Sequence, residues 1–430
     1  MVLLVGLLAP ACGGGLTEAT PQAITDRAVQ TTLADLPTAT LIPIPTVVPT
    51  ATLIPIPTVV PTPTVVPAPA VRFDGCTGTG TVQFAHSPMG LEEIKYLIPY
   101  GLMAGGHVTP IDHMYFEPLD RSLGRDVYEV RAVQDGVIYK MQPRDVNVDT
   151  GQAKQREWRL DIAHTCSFVS YLDLLTSVDP ALEAEWAKTE GGRAGQGWYG
   201  IPIKAGQLIG RIGAQTLDFG VYDYNVVLPG YIVPSHYDYE PWKVHTVDPF
   251  PYFPTAIRDS LLAKMLRKAE PRAGKIDHDV DGRAVGNWFQ QGTNWYQGLV
   301  QQKYWDGHLA LVPDTYDPTA WRFSIGNFGG NAKQLGIKGN GPAPSGIGVE
   351  SGLIRYELVL YDYYAANEPN RTGIVKMRPT DDIRSRDMGS VQGIALIQMT
   401  GPRTLKCEVF PGKTAAEVTG FTSAAKTYER

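Results

Sequence analysis

Three carboxylates stand at alternate positions in Asp277-His-Asp-Val-Asp-Gly282. Oxygen ligands at Asp277, Asp279 and Asp281, followed by the glycine of a sharp turn, are how a calcium loop begins. Such a loop needs a bidentate glutamate at its twelfth position, and here that position is Trp288. An indole supplies no oxygen, so the segment reads better as an Asp-Gly turn into Gly286-Asn-Trp-Phe289. Trp288, Trp295, Tyr296, Tyr304 and Trp305 follow in a dense aromatic stretch. Exposed, such rings stack on sugars; buried, they fill a β core, which is the commoner fate. Thiol chemistry is limited to Cys12, Cys76, Cys166 and Cys407. An exported chain can oxidise its thiols, and Cys76 with Cys166 is the expected disulfide because both fall in one domain.

Scaffolds for these groups are bounded by composition. The chain has 430 residues, 43% of them hydrophobic and 19% charged, with a formal net charge of −6. That length accommodates two domains of ordinary size. An acidic balance without basic clusters excludes a dominant nucleic-acid role, since phosphate binding rests on counterion release. The hydrophobic fraction excludes wholesale disorder.

Residues Val2 to Leu8 are almost all apolar and lead into Ala9-Pro10-Ala11-Cys12 and three glycines. A short apolar run ending in small residues is an export signal, too short to span a bilayer. The cysteine directly after it resembles a bacterial lipoprotein box, which implies lipidation at Cys12. Residues 1–12 are therefore read as the signal and 13–72 as a spacer. Within that spacer, Ala39 to Thr50 reads ATLIPIPTVVPT and Ala51 to Thr62 repeats it letter for letter. From Leu36 to Val71 there are ten prolines and no charge. Proline fixes φ and removes a donor, so this stretch is expected to be an extended stalk rather than helix or central strand.

From residue 73 the sequence becomes globular and mainly β. Asp126 to Val133, Gly136 to Met141, Trp158 to His164, Phe168 to Leu174, Gln207 to Ile212 and Phe219 to Tyr224 read as strands between turn residues. They predict an antiparallel sheet or sandwich over 73–253. One helix is expected after Asp179, a capping residue followed by Pro180 at the first helical position. Thr255 to Ala269 has an apolar stripe that predicts an amphipathic helix inside a connecting segment, 254–272. Residues 273–430 read as a second, small β-barrel or β-sandwich domain. Its expected strands are His308 to Val312, Trp321 to Ile325, Ile354 to Tyr361, Gly373 to Met377, Val391 to Met399 and Leu405 to Phe410.

Five motifs come in a fixed order in the first domain. They are Ala132-Val-Gln-Asp-Gly-Val137; Ile162-Ala-His164 with Tyr171-Leu-Asp-Leu174; Lys204-Ala-Gly-Gln-Leu-Ile-Gly-Arg-Ile-Gly213; Leu217-Asp-Phe-Gly-Val221; and Val247-Asp-Pro249 through Tyr252. In order and spacing, over about 98–253, they resemble the lysostaphin/LytM-type zinc peptidases, which cleave peptide cross-bridges of bacterial peptidoglycan. The resemblance implies the antiparallel β fold of that family. It also implies one zinc, held by the His and Asp of "H-x-x-x-D" and the second His of "H-x-H", with two further histidines moving protons.

Carried onto this chain, the ligand positions are His107, Asp112 and Asp218, with His113 as an alternative imidazole. His107 and Asp112 are one residue further apart than the family spacing, and Asp218 stands where the family has histidine. Those two proton-transfer positions fall on Asp173 and Thr216, both again in place of histidine, and His164 of the Ile162-Ala-His164 motif is a further catalytic candidate. One imidazole with two carboxylates shifts preference from zinc toward harder divalent ions. A threonine hydroxyl cannot act as a base near neutral pH as imidazole does. His107, His113 and His164 also have an ordinary reading as hydrogen-bonded core or rim residues.

The resulting expectation is a lipid-anchored protein on the outer side of a bacterial cytoplasmic membrane. Its peptidase-like domain has an eroded site and meets peptidoglycan or another envelope component, by wall or ligand binding or by regulating a hydrolase. The rival expectation is an active metal-dependent peptidoglycan endopeptidase using the His/Asp/Asp set.

Overall fold

The computed structural model describes residues 76–146, 155–188 and 200–430. Cys12, the signal and the proline-rich spacer lie outside them. The chain is mainly β, with antiparallel sheets and two α-helices among the described residues.

Alternation places the first core. In β5 (Gln155–Ala163), Trp158, Leu160 and Ile162 point one way, and in β6 (Phe168–Leu175) Phe168 and Leu172 join them. β10 (Leu217–Asp223) adds Leu217, Phe219 and Val221. With β1 (Ile94–Ile98), β2 (Met114–Pro118), β4 (Gly136–Val146) and β8 (Ile201–Ile203), these form a seven-stranded sheet in the order β1-β2-β10-β6-β5-β4-β8. A three-stranded sheet supplies more of the core through Tyr128, Val130, Val178, Ile209 and Ile212. Its strands are β3 (Tyr128–Arg131), β9 (Leu208–Ile212) and β7 (Ser177–Val178), in that order. Helix α1 (Pro180–Ala187) starts where the sequence predicts, with the Asp179 carboxylate accepting from the Ala181 N–H at 2.9 Å. A disulfide joins Cys76 to Cys166, and Cys407 is a buried free thiol.

Helix α2 (Thr255–Lys264) is shorter than its apolar stripe. Met265 and Leu266 leave it to run beside β1, where the Leu266 N–H donates to the Leu97 carbonyl at 3.0 Å. Burying both side chains fully favours that extended path over another helical turn.

The second unit is a closed barrel. Its strands are β11 (Gly286–Gln290), β12 (His308–Pro313), β13 (Trp321–Ile325), β14 (Lys333–Ile337), β15 (Ile354–Ala365), β16 (Glu368–Thr372), β17 (Ile383–Gly401), β18 (Thr404–Pro411) and β19 (Lys426–Glu429). Order β14-β13-β12-β11-β19-β18-β17-β15 returns to β14 through Gly336 opposite Val359, while β16 hangs on β15 as a hairpin arm. Closure removes the exposed edges that an open sheet would carry. The corner in β17 falls at Gly393, whose φ is +156° and where a Cβ would meet the Phe410 carbonyl oxygen at 2.5 Å. The strand expected at Gly373 to Met377 is displaced. Gly373, at φ +84°, ends the pairing after Thr372, and Ile374–Lys376 is a 3-10 turn.

Trp288, Tyr296 and Trp305 are buried, Tyr304 is half-buried and Trp295 is exposed. The three carboxylates of the calcium-like segment diverge. Asp277 accepts from the Gly230 N–H, Asp279 from the Asn287 N–H, and Asp281 pairs with Arg403. The segment is a turn into β11.

Candidate functional site

The second face of the seven-stranded sheet carries the residues singled out above. Side chains alternate, so Asp218 and Tyr222 of β10, Tyr171 and Asp173 of β6, Arg159 and Asp161 of β5, and Tyr115 of β2 all leave the sheet opposite the core. Register sets them side by side: Asp218 lies opposite both Asp173 and Tyr115, and Asp161 opposite Tyr171.

This face is covered. Two 3-10 turns, Pro234–Tyr237 and Pro241–His245, bring Lys243 and Trp242 down onto it, and the barrel closes over them. Tyr296 and Phe289 join the first unit's core cluster, and Met103 packs on Ala310 and Val312. Gly106 lies flat against the Trp305 indole, where a Cβ would meet ring carbons at 2.8 Å. As a result Asp112 is 4% exposed, His113 8%, Asp218 3% and Lys243 5%.

Inside that cover, every acid faces a cation. Lys243 Nζ donates to Asp112 Oδ1 at 2.8 Å, lies 3.4 Å from Glu240 Oε2 and sits 5.1 Å from the centre of the Tyr296 ring. The Tyr222 hydroxyl donates to the other Asp112 oxygen at 3.4 Å. His113 Nε2 is 3.2 Å from Asp218 Oδ2, and its Nδ1 is 3.6 Å from Asp112. Arg144 forks onto both oxygens of Asp173, which also accept from the Tyr171 hydroxyl at 3.0 Å and the Leu174 N–H at 2.6 Å. Arg159 and Lys140 share Asp161, and Arg159 lies over the rings of Tyr171 and Trp242. Five acids (Asp112, Asp161, Asp173, Asp218, Glu240) thus meet five cations (His113, Lys140, Arg144, Arg159, Lys243).

These contacts decide protonation. Burial disfavours the charged form of Asp112, but the Lys243 ammonium and His113 outweigh it and hold the carboxyl well below its ordinary range. Burial likewise opposes a charged His113, yet Asp218 and Asp112 push its pKa up to about 10.

The predicted residues therefore fall into two groups. Asp112, His113 and Asp218 come together, with the His107 ring edge-on to His113 at 6.5 Å between centroids. His107 is half-buried in a tight turn in which its N–H donates to the Ala104 carbonyl and its carbonyl accepts from the Ala104 N–H. Asp173 stands beside Asp218, and Thr216 is buried just before β10. His164 lies at the other end of the sheet, past Phe168, which pairs with Asp223 rather than Asp218. Five residues of strand make that separation roughly 17 Å. There His164 Nδ1 meets the Asp135 carbonyl at 2.8 Å and Nε2 meets Ser170 Oγ at 2.9 Å, the ordinary satisfied histidine.

The donor set does not fit the zinc that the family resemblance implies. An ammonium already occupies Asp112. A doubly protonated His113 has no lone pair for a metal. Among the described residues, no group of three or more His, Cys, Asp or Glu side chains is arranged to hold a metal ion. Asp173 is equally unsuited to proton abstraction, since each of its oxygens already accepts two hydrogen bonds. Sequence reasoning missed Lys243, Arg144 and Arg159. The arginines leave a trace, because Arg144, Arg159 and Asp161 recur at alternate positions on neighbouring strands. Lys243 leaves none.

No protein-family model and no curated protein matches the chain. A solved structure of Helicobacter pylori Csd3, from the hexagonal crystal, aligns with 40% of this chain at 17% identity and a TM-score of 0.22. The aligned part is about a third of that protein, 34% of its chain. An overlap of that quality carries no fold or function across.

Histidines elsewhere give the protein a defined pH response. Burial lowers the pKa of His308, 1% exposed, to about 3, and that of His164 to about 4. In the unfolded chain both titrate near ~6.5. Between those values the unfolded state takes up protons that the native state refuses, so their stabilising contribution is complete above ~6.5 and lost as pH falls toward 4 and 3. Asp279, raised to about 6 by burial, and Glu93, Glu157 and Asp248, also raised by burial, work the other way on acidification, but burial also lowers His236 and His278 to about 4 and lowers His245, which keeps the balance with the histidines. The melting temperature should fall steadily from pH 7 to pH 4.5; a flat profile over that range would contradict these assignments.

Proposed function

We propose that this chain is an exported, lipid-anchored envelope protein whose first folded unit is a non-catalytic relative of the lysostaphin-type peptidases. The unit serves to bind the bacterial wall or to regulate a hydrolase acting on it. The observation that carries this reading is the buried Lys243–Asp112 pair, a fixed cation seated on the carboxylate that would otherwise coordinate metal. Hydrolysis needs an open coordination position and a free base. The ion-paired acids and the overlying barrel argue against both. The motif order of residues 98–253 supports the family, and the apolar start with Cys12 followed by the repeated spacer supports export and anchoring.

The test is direct. Purified full-length protein should contain no stoichiometric zinc, should release no peptide from peptidoglycan with or without added zinc, and should co-sediment with intact sacculi. One bound zinc together with cleavage lost in Asp218→Ala would establish the rival, an active endopeptidase. Failure to sediment with sacculi would remove the wall-binding part of the proposal.

A further inference from the structure

Ala284 to Gln302 runs for nineteen residues without a charged side chain, and seven of them are Asn or Gln. Five of those amides are exposed: Gln291, Asn294, Gln297, Gln301 and Gln302. Trp295 stands among them, 39% exposed, while the neighbouring Trp288, Tyr296 and Trp305 are buried.

The indole is fixed in place. It stacks on the His236 ring with centroids 4.6 Å apart and planes 13° from parallel, and its N–H donates to Glu429 at 3.1 Å. Asn294 and Trp295 both have left-handed backbone, with φ of +62° and +52°. That region is unfavourable for a bulky L-residue, and two such residues in succession must be held there by their surroundings. The ring so oriented bridges His236 of the first unit and Glu429 of β19 and still leaves 39% of the residue in solvent. The Asn294 side-chain N–H donates to Gln297 at 2.6 Å, setting an amide pair next to the ring.

We propose that the Trp295 surface of the barrel is a binding site for a neutral saccharide. One face of the indole rests on His236, and the exposed part stacks on the C–H face of a sugar ring. Amides both donate and accept, so Asn294 and Gln297 match hydroxyl and acetamido groups in either sense. The segment's own side chains are uncharged, and Glu429, which accepts the indole N–H, disfavours an anionic ligand, so a neutral ligand fits best. A nucleic acid would require a basic groove beside the aromatic ring. A proline-rich peptide would require a groove lined by several exposed rings, whereas in this stretch Trp288, Tyr296 and Trp305 are buried and Tyr304 is half-buried. This site does not depend on the reading of the first unit.

Isothermal titration of the full chain with the tetramers of β-1,4-linked N-acetylglucosamine, β-1,4-linked glucose and α-1,4-linked glucose tests it. At least one should bind. Trp295→Ala should weaken that binding roughly tenfold or more, and Trp295→Phe, which keeps a ring face, by about threefold. Circular dichroism and melting temperature establish that each variant is folded. The proposal is overturned if no tetramer binds the wild type, or if folded Trp295→Ala binds as the wild type does. It is also overturned if a synthetic ATLIPIPTVVPT peptide binds in a Trp295-dependent way while the saccharides do not.

Discussion

Lys243→Met should lower the unfolding free energy by ~3–5 kcal/mol at pH 7, as expected when one member of a buried ion pair is removed. Both partners are almost completely out of water, so Asp112 would keep its charge with little solvent to stabilise it. The Tyr222 hydrogen bond at 3.4 Å and His113, 3.6 Å away and shared with Asp218, are weak substitutes for an ammonium at 2.8 Å. Replacing both members, Lys243→Met with Asp112→Leu, should recover most of the loss, because apolar replacements of buried pairs are often neutral. Urea unfolding of the two variants and the wild type measures this. A loss under ~1 kcal/mol in the single variant would mean that the pair is solvated and that the cover over the site is open.

Arg322→Ala should cost a similar ~3–5 kcal/mol and also loosen the junction between the two folded units. Arg322 is buried on the outer face of the barrel, opposite Val312 and turned away from the core that Phe323 joins; its Nε donates to Asp314 at 2.9 Å, and its guanidinium lies 3.6 Å from the centre of the Tyr361 ring. Asp314 in turn receives the N–H groups of Tyr316 and Asp317, both at 2.8 Å, which shapes the loop they share. That loop holds the first unit: Thr315 Oγ1 donates to the Tyr100 carbonyl at 2.6 Å, and Arg267 donates to the Thr315 carbonyl. Hydrogen exchange over residues 98–112 should therefore quicken in Arg322→Ala. Arg322→Lys should restore only part of the effect, since a point charge cannot reproduce the planar stack. Unchanged exchange with full stability loss would confine Arg322 to the barrel.

Much of the fold was legible in the sequence because alternation is a local signal. β5, β6, β10, β12 and β13 fall within a few residues of their predicted runs, and the Asp179-Pro180 start of α1 is where its cap places it. Short pieces such as β1, β14 and β19 escaped, since five or fewer residues contain too little pattern to separate strand from loop. The site was half legible. Motif order located Asp112, His113, Asp173 and Asp218, but alternation says nothing of what covers them. Arg159 and Asp161 alternate with Trp158 and Leu160, a pattern that gives them a shared face and leaves open what packs on it. In the fold that face is roofed by residues from 80 or more positions downstream, and nothing local in Pro241-Trp-Lys-Val-His245 announces that its ammonium will meet Asp112, 131 residues earlier. Polar does not mean exposed when a distant stretch of chain supplies the roof.

The bond between Cys76 and Cys166 also sets how a pull on the chain would be transmitted. It spans 90 residues of sequence and ties the start of the described chain to the turn between β5 and β6. A pull on the segment before Cys76 passes through sulfur into the middle strands of the sheet, and the intervening residues bear none of it. Stretched out, those 90 residues would release on the order of 300 Å. An oxidised molecule withholds that length and so behaves as a short tether, while a reduced one would pay out slack from β1 onward.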